Sequence, residues 1–227
     1  MMNHKFLLII LTFIFSFSVY AYDASDGNIT ITAGSFIYRT VFPETPNGVI
    51  SGYHGDLGLI MNGDIDNKGS LEIALFHMNK LYSRDEFGKT QVEQTQVMHT
   101  SMGYRRWATP YLSGALGFYS AYPMDDTKVI HTDFAPGTEL TTSARDKTEY
   151  GFDFSIQSEV WSNEEISVVA DARYALSVTS QPHENADHYG LMLAVKYLFK
   201  EKYTRKTPEI IEKKSLPPSG DKLLKSE

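Results

Sequence analysis

The stretch His188-Tyr-Gly-Leu-Met-Leu-Ala-Val-Lys-Tyr-Leu-Phe199 decides the fold. A strand sends successive side chains to opposite faces. Leu191, Leu193, Val195, Tyr197 and Phe199 therefore share one face, and Gly190, Met192, Ala194 and Lys196, with Leu198, share the other. The ribbon has one apolar side and one small or polar side, and it ends on two aromatics.

The same pattern recurs upstream. Ile166, Val168, Ala170, Ala172, Tyr174, Leu176 and Val178 alternate with Ser167, Asp171, Arg173 and Ser177, with Val169 and Ala175 also on the second face. Tyr150, Phe152, Phe154, Ile156 and Val160 alternate with Glu149, Gly151, Asp153, Ser155, Gln157 and Glu159. Over 92–106, Met98, Met102 and Tyr104 oppose Val97, His99, Ser101, Gly103 and Arg105. Segment 49–61 places Tyr53, Leu57, Leu59 and Met61 against Gly52, His54, Asp56 and Gly58, and Leu71, Ile73 and Leu75 alternate with Ser70, Glu72 and Ala74. In 29–42 the apolar face either continues through Ile37 and Val41 or shifts at a bulge to Phe36, Tyr38 and Phe42. Phe76-His77-Met78 fit neither face clearly. Residues 83–90 read as a charged loop, 123–145 as the longest irregular segment, and 62–69 as a long turn. No helix-period segment competes. About eight strands result, each long enough to cross a bilayer when tilted. The expected fold is all-β, an eight-stranded antiparallel up-and-down transmembrane β-barrel over residues 22–199.

Two segments resemble a known family. The Gly-led, Phe-ended run 188–199 resembles the closing-strand signal of bacterial outer-membrane β-barrels. Pro110-Tyr-Leu-Ser-Gly-Ala-Leu-Gly-Phe-Tyr119 resembles a strand of the OmpA, OmpX and OmpW group of small eight-stranded barrels, with Ala115 interrupting its glycines. The resemblance implies a barrel inserted by the barrel-assembly machinery through its terminal strand, surrounded by outer-membrane lipid and lipopolysaccharide, and monomeric. It also implies a narrow passage for small or hydrophobic solutes as one function.

The ends of the chain suit export. Lys5, the apolar run 6–17 and Val19-Tyr20-Ala21 read as a signal peptide over 1–21. Residues 200–227 are polar and Pro-broken and read as a disordered periplasmic tail, with a periplasmic partner as its sharper use. The chain has 227 residues, no Cys and a formal net charge of -7. That balance gives no footprint for nucleic acid, and lack of Cys excludes disulfides and thiolate sites.

Alternation leaves two barrels open, since a soluble one turns its apolar face inward and a membrane one turns it outward. The second face favours the membrane. Its glycines and isolated charges of both signs (Asp56, Glu72, Arg105, Asp153, Arg173 and Lys196) suit a narrow lumen with a paired network. Aromatics gather at strand ends. One girdle would hold Tyr104, Trp107, Tyr111, Trp161, Tyr197 and Phe199, and the other Tyr38, Tyr53, Tyr119, Tyr122, Tyr150 and Tyr189.

Little in the sequence carries chemistry. His99-Thr-Ser101 has the His-x-Ser spacing of outer-membrane lipid A deacylases, but Met102 stands where that family has Asn and no downstream acid suggests itself. The other histidines lack a metal-site spacing, and Asp125, Asp126 and Asp133 suggest a weak cation site at most. The expectation is a protein without catalytic, metal or cofactor residues, acting structurally or through its extracellular loops, with residues 123–145 as the contact region. A narrow channel, a lipid A-modifying enzyme and a soluble periplasmic ligand-binding barrel are the alternatives.

Overall fold

Strands with one apolar and one polar face must stack or close on themselves to hide one of them. In the computed structural model, which describes residues 22, 24–42, 51–138, 140–145 and 147–199, they close. The strands are β1 (Ile29–Thr40), β2 (His54–Asp64), β3 (Gly69–Glu86), β4 (Lys89–Thr109), β5 (Leu112–Pro123), β6 (Lys128–Thr132), β7 (Glu149–Ser162), β8 (Ile166–Ser177), β9 (Glu184–Asn185) and β10 (His188–Phe199). All but β6 and β9 form an antiparallel barrel, shut where β10 pairs with β1 from Ile29↔Phe199 to Thr40↔His188. Following paired residues once around from Ile29 returns to Arg39, ten residues further along β1. That stagger tilts the strands by roughly 40° to the axis. The segments read as signal peptide and tail, 1–21 and 200–227, lie outside the described residues.

The apolar face points out. Phe152 and Phe154 are each 45% exposed and Ile156 is 63% exposed, while Asp153 between them is 4% exposed. Ile37 and Val41 are exposed and Phe36, Tyr38 and Phe42 are buried, so the apolar face runs straight through β1 without a bulge. Phe76 and Met78 point inward, and His77 points outward.

Three expectations about connections need correction. Residues 83–90 are not a loop. β3 and β4 stay paired up to Glu86↔Lys89, and only Phe87 and Gly88 turn the chain, with φ of 53° and 71°. Two positive-φ residues are what a tight hairpin with right-handed strand twist demands. The charges there belong to strands extending past the apolar band, where Arg84 and Glu86 pair with each other and Arg84 ties the Thr141 carbonyl. The irregular segment 123–145 contains β6, which adds to the β4 extension from Gln91↔Thr132 to Gln94↔Lys128. The long turn 62–69 shrinks to residues 65–68, because β2 and β3 pair as far as Asp64↔Ser70.

Three inner glycines make room for rings. A side chain at Gly58 would collide with Phe76, one at Gly190 with Phe36, and one at Gly151 with Tyr119. Replacing Gly58 by Val should therefore destabilise the barrel by about 1–3 kcal/mol through overpacking. Denaturant unfolding of the purified protein in detergent or liposomes measures it. Gly55, with nothing near a side chain there, should tolerate the same change.

Candidate functional site

Inward side chains fill the tube in layers. At the end that carries the termini, Tyr22 lies across the mouth. Its hydroxyl donates to Asp64 Oδ2 at 2.5 Å, and its ring packs on Trp107 at 4.6 Å. Lys196 sits 4.0 Å from the Tyr22 ring and 4.8 Å from the Trp107 ring, and donates to Glu159 Oε2 at 2.6 Å. A cation over two aromatic faces in a dry site is attracted by their quadrupoles.

Above this plug two arginines and three carboxylates interlock. Arg105 Nε donates to Glu72 at 2.5 Å, and its terminal nitrogens reach Ser113, Ser155 and Asp171 at 2.8, 2.8 and 3.0 Å. Arg173 contacts Asp171 at 2.7 Å, Asp153 at 2.9 Å and Glu72 at 2.7 Å. Alternate residues on neighbouring strands bring these groups to one level. A planar guanidinium with five donors can bridge several carboxylates, which an ammonium cannot match in geometry. The space among Glu72, Ser101, Gly103, Asp153 and Arg173 has no room for a water molecule.

An aromatic layer follows. Phe36 and Phe76 stand 4.6 Å apart, His99 stacks on Tyr119 at 4.4 Å, and His188 meets His99 edge-on at 5.2 Å. The Arg173 guanidinium lies 5.0 Å from the Phe76 ring, which joins the charged layer to the apolar one. Higher still, Lys80 donates to both oxygens of Glu149 at 2.6 and 2.7 Å, and Tyr119 donates to the same carboxylate.

Residues 142–145 fold into the loop-end mouth. Thr142, Ser143 and Ala144 are buried. Thr142 donates to Glu93 at 2.5 Å, Arg145 to Glu93 at 2.6 Å, and Ser143 to Glu184 at 2.9 Å. Arg84 ties Gln181 at 2.7 Å and the Thr141 carbonyl at 2.5 Å.

Of the six charges singled out in the sequence, Glu72, Arg105, Asp153 and Arg173 meet in one cluster. Lys196 is buried but pairs with Glu159 instead. Asp56 stands apart and half-buried, accepting from Tyr38 at 2.7 Å and Asn79 at 3.3 Å and facing His77 at 3.1 Å. It bridges β2 and β3 above the point where their pairing stops at Gly58↔Phe76. Asp171 and the Lys80–Glu149 pair were not singled out. Asp171 could have been, since it shares the polar face with Arg173. Lys80 lay beyond the segment whose face could not be assigned.

The girdles need correction too. Tyr104, Tyr111, Trp161, Tyr197 and Phe199 lie on the outer face, but Trp107 is only 8% exposed and plugs the lumen. Tyr38 and Tyr119 are also buried inside, while Tyr53, Tyr122, Tyr150 and Tyr189 are outside. The His99-x-Ser101 pair faces the lumen, and Asp153 supplies an acid 3.5 Å from His99 Nε2 that sequence order hid. No hydrogen bond joins His99 to Ser101 among the described residues, and Arg173 already holds Asp153. Asp125, Asp126 and Asp133 do not gather. Asp133 instead faces His131 at 3.2 Å and accepts from the Thr90 amide at 3.2 Å.

This is the fold of the small eight-stranded outer-membrane β-barrels. The outer membrane protein OprG from Pseudomonas aeruginosa matches with a TM-score of 0.51 at 12% identity, over 79% of this chain and 99% of that one. The attachment invasion locus protein Ail of Yersinia pestis gives 0.46 at 11% identity, over 77% and 99%. Neisserial surface protein A gives 0.43 at 14% identity, over 77% and 100%. No family model matches the chain, and no curated protein sequence does.

Arg173→Met leaves Glu72 and Asp171 to Arg105 and Asp153 without an arginine, and should cost about 3–5 kcal/mol. Lys80→Met should cost a similar amount by stranding Glu149. The double variant Lys80→Met/Glu149→Leu should recover most of that loss, because removing both charges removes the stranded one. Denaturant midpoints of the folded band in semi-native electrophoresis measure all three.

Proposed function

We propose that this chain is an outer-membrane β-barrel with a structural lumen, acting through the surface at its loop end. The observation that carries the reading is the filling of the tube by buried side chains, from Tyr22 and Trp107 at one mouth to Thr142–Ala144 at the other, among the described residues. A soluble protein does not tolerate the outer wall, where Phe118, Phe152, Phe154, Leu176, Leu193 and Val195 stand exposed on the contiguous strands β5, β7, β8 and β10. A bilayer does, and short turns at the terminal end support a periplasmic position for that end. The surrounding lipid, the lipopolysaccharide of the outer leaflet and the assembly machinery acting on β10 are then its general partners.

The loop end carries what such a barrel can offer a further partner. Phe87 at the hairpin tip is 97% exposed, and Met124, Val129 and Ile130 are exposed on the 123–145 segment beside it. β6 pairs with β4 on one edge only. Exposed apolar groups on a rigid projection of this kind mark a contact surface.

Purified protein in planar bilayers should show no conductance steps, and regular steps would overturn the closed-lumen reading. Lipid A from cells expressing the protein should keep an unchanged mass spectrum, since His99 and Ser101 are sealed from acyl chains. Phe154→Arg should destabilise the inserted barrel by about 2–4 kcal/mol, the cost of a cation at mid-bilayer depth. Unfolding from liposomes measures that cost, and a neutral effect would sink the membrane assignment.

A further inference from the structure

Four outward positions lie in one row across the wall. Arg106 on β4 pairs with Gly114 on β5, Gly114 with Ile156 on β7, and Ile156 with Ala172 on β8. The neighbouring row reads Tyr104, Leu116, Phe154 and Tyr174. Missing side-chain volume at Gly114 and Ala172, beside large residues, leaves a groove of about 680 Å³ in the outer face. Tyr104 does not fill it. Its ring leans over Gly69 on β3, where no side chain opposes it.

The groove has a direction. Arg106 stands near the end of β4, close to the terminal mouth. Because the strands tilt, each step across the wall from β4 toward β8 climbs away from that mouth. The groove therefore rises from a cation at one headgroup level into the hydrocarbon band. Arg106 is exposed, and no carboxylate pairs with it among the described residues. Its planar fork of donors suits a phosphate, and the groove walls suit a hydrocarbon chain.

We propose that this groove binds a glycerophospholipid of the periplasmic leaflet, with its phosphate on Arg106 and one acyl chain along Gly114, Ile156 and Ala172. The proposal rests on the membrane orientation argued above. Lipopolysaccharide does not fit, because its phosphates lie in the opposite leaflet and the groove's cation lies at the periplasmic end.

The test uses full-length protein purified from outer membranes in mild detergent, examined by native mass spectrometry with identification of the released lipid. The wild type should retain one phospholipid. Arg106→Gln should lower retention roughly tenfold, as expected for losing a charge-assisted phosphate contact. Gly114→Leu should remove it by filling the groove. A side chain there meets only the Ser155 carbonyl, at 3.6 Å, so the wall accommodates it. Arg39→Gln removes an outward arginine at the other headgroup level, beside Tyr53, and should leave retention unchanged. Heat-dependent gel migration of every variant reports the folded barrel. Folded variants that retain lipid equally, or retained lipid that proves to be lipopolysaccharide, would overturn the proposal while leaving the membrane reading intact. A wild-type chain found soluble, without a heat-dependent shift, would overturn both.

Discussion

The two lumen arginines impose the constraint on which the rest depends. A buried guanidinium is tolerable only when its donors are met, and a buried carboxylate only when it has cations or donors of its own. Arg105 and Arg173 share Glu72 and Asp171, and Arg173 also holds Asp153. These groups come from β3, β4, β7 and β8, so the cluster forms only when those strands stand in this register around a closed tube. A slip of one residue would turn every one of these charges toward the apolar exterior. The network therefore selects register more than it adds stability, which suits a fold whose outer face is mostly apolar and offers little specificity of its own.

Charge and aromatic layers depend on each other through Phe76. Its ring meets the Arg173 guanidinium at 5.0 Å and the Phe36 ring at 4.6 Å, and it occupies the space left by Gly58. An eight-stranded barrel encloses just enough room for side chains. Large rings enter such a space only where facing positions are small, so Gly58, Gly151 and Gly190 each answer to a particular ring, while Gly34, Gly103 and Gly117 let neighbouring backbones approach. Glycine on the inner face signals a packed interior here, not an open one. Tyr119 repeats the arrangement over Gly151 and adds a hydroxyl that joins the Lys80–Glu149 pair.

Period-two alternation made the fold legible, because it survives in β7, β8 and β10 almost without exception. It also held more information than the girdle assignment used. Trp107 follows Arg105 by two residues and so belongs to the inner face, where the structure places it. Trp161 follows Glu159 by two and should also point in. A register shift between Glu159 and Trp161 turns it out. Such a bulge leaves no mark in the sequence, since Val160 is unremarkable in a strand. The hairpin beyond Lys80 was hidden for a different reason. Strands that run past the apolar band lose the apolar side of their alternation, and charge alone then looks like loop. Partner choice within the lumen was illegible as well. Parity gives a face, but which inward charges share a level depends on the stagger, and stagger emerges only from the closed set of pairings.

The two mouths are closed by different means, and the difference bears on where activity can reside. At the terminal end the plug is built from Tyr22, Trp107 and Lys196, with Asp64 and Glu159 fixing the polar ends. Opening it would strand Lys196 and Glu159 in a dry site, so it is part of the core. At the loop end, residues 142–145 are held by Glu93 and Glu184 through contacts from a segment that also spans β6 and the hairpin extension. Contacts made by one loop can be exchanged for contacts with a bound molecule without disturbing the arginine cluster, which lies below the aromatic layer. A rearrangement of that loop is thus confined above Lys80 and Glu149, and it does not open a through-passage unless the aromatic layer also yields. The lower wall, by contrast, keeps a fixed shape because the cluster behind Ala115, Ser155 and Arg173 is rigid. The groove on that wall is thus shaped in part by the cluster itself, since Arg173 lines its floor.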